Sequence, residues 1–121
     1  MPRASFFQHD GHRILRFDFA GIAAAEEALS AIAQAKASVS SQEPGSLLVL
    51  TDVTGSRFDA TILAAIRDLM QSNAPYIRAS AVVGLSGLQR VVYSSLVRLT
   101  RRNLRAFDDE AVALEWLVSQ A

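Results

Sequence analysis

Residues Leu47 to Leu69, LLVLTDVTGSRFDATILAAIRDL, set an unbroken apolar run against a polar turn and then a pattern of helical period. Apolar residues in succession from Leu47 to Leu50 suit a strand buried on both faces, as in a parallel sheet covered by helices. Asp59 stands where a helix N-cap belongs, because its carboxylate can accept from the free N–H groups of the first turn. Ile62, Ile66, Leu69 and Met70 follow on one stripe. A strand that hands the chain to a helix N-terminus is also where α/β proteins commonly place ligands and switch residues. The segment therefore fixes a fold class and a place to look for function.

The flanking sequence extends this unit. Ala4 to Gln8 and Arg13 to Phe19 are β-prone runs separated by His9, Asp10, Gly11 and His12, and Asp-Gly between strands signals a hairpin. Within the second run Leu15, Phe17 and Phe19 share one parity and predict the core face. Ile22 to Val39 is alanine-dominated, with Ile22, Ala25, Leu29, Ile32 and Ala33 at helical spacing, and Pro44 and Gly45 punctuate the loop that follows. Asn73 and Pro75 end the helix that begins after Asp59. Ala79 to Leu85 reads as a further central strand, Gly84, Ser86 and Gly87 as the turn into a helix from about Leu88 to Thr100, and Leu104 to Phe107 as a short strand. Asp108 is the expected N-cap of a last helix, with Asp109 and Glu110 in its first turn. The sum is an α/β fold: an N-terminal hairpin plus a mixed, mainly parallel five-stranded sheet with about four helices, in one domain spanning residues 1–121.

Composition narrows the classes of activity. Lys plus Arg and Asp plus Glu number twelve each, so no global field draws the chain to nucleic acid, and aromatic residues interleaved with basic ones are scarce. Cysteine is absent, which removes disulfides and thiolate chemistry and suits a reducing cytoplasm. No apolar run reaches membrane-spanning length, and the N-terminal MPRASFFQHDGHR lacks the core of a signal peptide. The expectation is a soluble cytoplasmic protein without a cofactor. His9 and His12 face each other across the hairpin beside Asp10, but no further ligands accompany them, so no metal is assigned. No Ser-His-Asp arrangement has usable spacing; a hydrolase or transferase would have to centre on Ser86 or Asp52.

Three candidate surfaces remain. The turn after the Leu47 strand carries Asp52, Thr54, Ser56, Asp59 and Thr61. The loop GLSGLQR offers Gly84, Ser86 and Gly87, whose backbone N–H groups could cradle an anion with Arg90 one turn on, although glycine also serves a tight strand-to-helix connection by conformation alone. On the helix from Leu88, Leu88, Val91, Val92, Leu96 and Leu99 predict an apolar face opposite Arg90, Ser94, Arg98 and Arg101, and Arg102 and Arg105 extend the basic face. Tyr93 and Val97 fall between the two arcs. Arginine beside apolar surface suits anionic lipid, RNA or an acidic protein partner, while a solvated face on a core helix is the commoner arrangement.

The turn DVTGSRFDAT, the segment RASAVVGLSGLQR and the ending RAFDDEAVALEWL, in this order of elements, resemble the SpoIIAA-like, or STAS-like, family of small bacterial proteins. The resemblance covers nearly the whole chain. It implies a binding or regulatory role rather than catalysis: relatives in the wider superfamily act as anti-sigma-factor antagonists, stressosome components and transporter tails, and a neighbouring fold group binds lipids. The antagonists carry a phosphorylated serine in an Asp-Ser-Ser-Gly-Leu motif. The matching stretch here is Asp59, Ala60, Thr61, Ile62 and Leu63, which makes Thr61 the candidate phosphosite while Ala60 and Ile62 depart from the pattern. The leading expectation is a module that contacts another protein or its own copy, as a homodimer, through the Asp52 to Thr61 turn and the GLSGLQR loop. The alternative is a carrier or sensor of lipid or another small apolar ligand, brought into peripheral contact with membranes by the Arg helix, which requires a cavity lined by Leu, Ile and Phe instead of a filled core.

Overall fold

The computed structural model describes residues 3–100 and 103–121, the side chains of 96–100 excepted. Strands β1 (Ala4–His9) and β2 (His12–Asp18) pair antiparallel around the two-residue turn Asp10-Gly11. Both turn residues have positive φ, 49° and 77°, as a type I′ connection demands, and glycine takes the second without strain. The chain then alternates: α1 (Ala25–Ser40), β3 (Leu47–Asp52), α2 (Ala60–Asn73), β4 (Ile77–Val83), α3 (Gly87–Thr100), β5 (Leu104–Phe107) and α4 (Glu110–Ser119). The five strands lie in sequence order across one sheet, and β2 to β5 are mutually parallel. This is the mixed, mainly parallel α/β architecture that the sequence predicts.

Strand parity divides the core into two layers. Leu15, Phe17, Val49 and Val82 face α1, α2 and α3, where they meet Ala28, Ala31, Ile32, Ala35, Val39, Ile62 and Leu69. Three successive parallel crossovers of one hand deliver three helices to one face. Ile14, Leu48, Leu50, Ala79, Ala81 and Val83 face the other way and are covered by Ala113, Leu114 and Leu117 of α4. Alanine at two of the β4 positions lets this single helix settle close to the sheet. Truncating Leu50, which is fully buried, would cost about 2–5 kcal/mol.

Several local expectations are corrected. β2 stops at Asp18, whose Oδ1 accepts from the Ala20 N–H at 3.1 Å and turns the chain before α1. Ile22 therefore precedes α1, yet it is buried, and its carbonyl accepts from the Arg57 N–H at 2.8 Å. The buried stripe of α1 is Ala28, Ala31, Ile32, Ala35 and Val39, while Leu29 and Ala33 face outward. Small residues on that stripe let α1 pack closely. β4 covers Ile77–Val83 in place of residues 79–85. Asp109, not Asp108, caps α4: its backbone is extended and its carboxylate accepts from Ala111 N–H, whereas Asp108 is drawn into an ion pair with Arg90.

Candidate functional site

The carboxyl edge of the parallel strands gathers the β3–α2 turn and the β4–α3 loop. Asp52 Oδ1 accepts from both the N–H and the Oγ1 of Thr54, at 3.0 and 2.6 Å, which closes an Asx turn. Gly84, at φ +87°, lies against that turn: a Cβ built on it would stand 2.1 Å from Thr54 Oγ1 and 2.6 Å from Thr54 N. Only glycine allows the two loops to approach so closely. The Val53 N–H reaches Val83 O at 3.0 Å and the Gly21 N–H reaches Thr54 O at 2.8 Å, so backbone bonds tie three successive loops together. Ser56 is buried and donates its hydroxyl to Val53 O at 2.6 Å. Asp59 caps α2 by accepting from Ile62 N–H at 2.8 Å, and Thr61 is exposed in the first helical turn.

Ser86 and Gln89 form a reciprocal cap on α3. The Ser86 N–H donates to Gln89 Oε1 at 3.0 Å, and the Gln89 N–H donates to Ser86 Oγ at 3.2 Å. Gln89 Nε2 then reaches Ser56 O at 2.9 Å, and on the far side Arg90 pairs with Asp108 at 2.6 Å. These two anchors hold the first turns of α3, where the apolar face expected from periodicity is corrected at Leu88 and Val91. Val92 and Tyr93 turn inward, while Leu88 and Val91 remain 78% and 66% exposed. Capping takes up the Ser86 N–H and a lone pair of its hydroxyl, and Asp108 pairs with Arg90.

The expected basic face is likewise divided. Arg105 projects from the opposite side of the sheet, with its guanidinium carbon 5.7 Å from the ring centres of both Phe107 and Trp116. Strand parity requires this, because Leu104 and Ala106 point toward α3 and Arg105 cannot. Arg101 and Arg102 lie outside the described residues, as do the side chains of Leu96, Val97, Arg98 and Leu99.

Between the sheet, α2 and α3 lies a partly open cavity of about 180 Å³. Phe17, Val49 and Val82 form its floor, Ile66 and Leu69 one wall, Val92 and Tyr93 the other, and Phe58, Leu85 and Leu88 stand toward its mouth. The lining is almost wholly apolar. Asn73 and Ser80 are exceptions: each is buried, at 3% and 7% exposure, and each lines the cavity. Sequence pattern singles out neither as a site residue. It marks Asn73 as a helix stop, and Ser80 sits in the apolar run ASAVV, where its inward parity is the available signal. His9 and His12 pair across the hairpin, and His9 Nε2 lies 3.8 Å from Asp10 Oδ2. Among the described residues no three His, Asp or Glu side chains group as metal ligands. No helix among them is long and apolar enough to cross a membrane.

Comparison with known proteins bears on the fold. The SpoIIAA-like family model matches residues 14–118. The chain belongs to the SpoIIAA-like family. A solved SpoIIAA-like structure, described as an uncharacterized protein of the DUF3478 family from Shewanella loihica PV-4, superposes with a TM-score of 0.76 at 16% identity. The alignment covers 94% of this chain and 91% of that one. Among curated proteins no relative matches. At this identity the SpoIIAA-like neighbour supports the fold alone.

Proposed function

We propose that this domain is a non-catalytic binding module that takes a small apolar molecule into the cavity between its sheet and helices α2 and α3. The cavity is the observation that carries the reading: about 180 Å³, lined by Phe, Leu, Ile and Val side chains, at a place where a filled core was the alternative. An apolar cavity of roughly 150 Å³ holds a benzene ring, so the ligand is of monocyclic size. A SpoIIAA-like fold, generally non-enzymatic, supports binding over catalysis. The test is titration with toluene, followed by methyl NMR shifts at Leu63, Ile66 and Leu69 and by thermal melting. Ligand at a hundredfold excess over Kd should stabilise the fold by about 2.7 kcal/mol. Val92→Phe, which narrows the cavity, should abolish both effects. Absence of shifts and of stabilisation in the parent protein would sink the reading.

The exposed pair Leu88 and Val91 favours a second role at the same end of the molecule. One helical turn apart beside the cavity mouth, they form an apolar surface next to the exposed rim of Thr54, Asp59, Thr61 and Gly87. We infer a contact there with another protein or a second copy, making ligand loading and partner contact neighbours in space. Sedimentation velocity of the parent chain and of Leu88→Gln tests the homodimer: a dimer that dissociates on substitution supports it, and a parent monomer at high concentration rejects it.

A further inference from the structure

We infer that the cavity selects an uncharged amphiphile, an apolar body carrying one neutral hydrogen-bonding group that seats against Asn73 and Ser80. This rests on the apolar-ligand reading and specifies the chemistry of the ligand. Asn73 is 3% exposed and Ser80 7%, and neither side chain hydrogen-bonds to any other described residue. Neither the amide nor the hydroxyl is sealed into packed core; both stay open to the space they line, where a ligand group can pair with them. Asn73 ends α2, the short 3-10 turn Ala74–Tyr76 leads from it into β4, and Ser80 lies opposite Val49 in the sheet register, so the cavity lining carries one polar group from the helix end and one from the sheet. Thr51, half-buried on the same sheet face, adds a second hydroxyl. Gln89 is the other amide in the lining, but both ends of its side chain are committed to Ser86 and Ser56 and do not face a ligand freely.

The charge on the ligand follows from the chemistry of the lining. No Lys, Arg, His, Asp or Glu is among the described lining residues. A carboxylate or phosphate drawn into this space would lose its water without gaining a countercharge, which excludes ionised heads from the deep position. A hydroxyl or carbonyl meets the amide donors and acceptor of Asn73 and the hydroxyl of Ser80 at no such cost.

Three probes with one ring and different heads decide the matter: toluene, benzyl alcohol and benzoate, titrated by methyl NMR and calorimetry. Benzyl alcohol should bind about tenfold more tightly than toluene, the net worth of one neutral hydrogen bond. Benzoate should not enter. Asn73→Leu, which keeps the branched shape while replacing both polar atoms by methyl groups, should reverse the order of toluene and benzyl alcohol, and Ser80→Ala should shrink the preference if the Asn73 variant does not fold or fills the cavity. Toluene binding as tightly as benzyl alcohol overturns the inference while leaving the apolar cavity reading intact. So does benzoate binding on a par with the alcohol, or a preference untouched in every folded variant. Failure of all three probes to bind the parent chain overturns the cavity reading itself.

Discussion

Gly84→Ala isolates the contact on which the carboxyl edge depends. Two penalties combine at this position. The φ of +87° is a backbone conformation that costs an L-residue about 1–2 kcal/mol, and lower entropy of the unfolded chain returns roughly 0.4–1 kcal/mol. The added Cβ also meets Thr54 Oγ1, N and Cα at 2.1, 2.6 and 2.7 Å, all well inside contact distance. Forcing the two loops apart adds an overpacking cost of about 1–3 kcal/mol. The total is about 1–5 kcal/mol, a large part of a typical 5–15 kcal/mol stability. Gly11→Ala supplies the control, because Gly11 has φ +77° and a Cβ added there would meet nothing within 4 Å. Urea unfolding of both variants should show Gly84→Ala shifted further than Gly11→Ala by the overpacking cost alone. Thr54→Ala should not rescue it, since two of the three close atoms are backbone. Equal losses at Gly84 and Gly11, or full rescue by Thr54→Ala, would refute the claim that backbone proximity holds these loops.

Gln89→Ala removes the reciprocal cap and the link to Ser56 O, and should cost about 1–2 kcal/mol; amide exchange that stays slow at residue 89 and at Arg90 would contradict it. Leu88→Gln and Val91→Gln should each change stability by less than about 0.5 kcal/mol, against about 2–5 kcal/mol for Leu50→Ala. Denaturant midpoints that put Leu88→Gln near Leu50→Ala would return Leu88 to the core. Thr61→Asp adds a carboxylate to the exposed first turn of α2 and should raise Tm by about 1–5 °C at low salt, an effect that fades as salt is added. A fall in Tm would mean that Asp59 already satisfies that helix end.

The strands are legible in the sequence because their signals are local. Asp10-Gly11 announces its turn, Leu47 to Leu50 announces burial on both faces, and Asp59 lies three residues from the N–H it caps. The rotation of α3 is not legible. Periodicity groups Leu88 and Val91 with Val92 on an apolar face, but with Gln89 bonded to Ser56 and Arg90 to Asp108, 33 and 18 residues away in sequence, Val92 faces inward while Leu88 and Val91 are left exposed. Arg105 departs from the expected basic face for a related reason: nearness in sequence groups it with the arginines before it, whereas strand parity at Leu104 and Ala106 sends it to the opposite layer. A cavity is harder still, being a difference between volumes contributed by several elements. Ser80 is its one readable trace, a hydroxyl at an inward position of a buried strand. The turn at Asp52 and the loop at Ser86 do come together as neighbours, through Gly84 and Thr54.

The covering of one sheet face by α4 alone has a consequence for synthesis. Strands laid down in sequence order can pair as they leave the ribosome, and α1 and α2 are at hand to close their own layer. The opposite layer has no such cover: Ile14, Leu48, Leu50, Ala79, Ala81 and Val83 wait for a helix that ends 36 residues after β4. At about 5–20 residues per second, that interval lasts on the order of 2–7 s. During it a nascent chain displays a broad apolar sheet face, the surface that chaperones recognise and that aggregation exploits. Docking of Leu114 and Leu117 ends this exposure, so translation pauses within the stretch that encodes residues 84–119 should harm the yield of this protein more than pauses within the stretch that encodes residues 4–46.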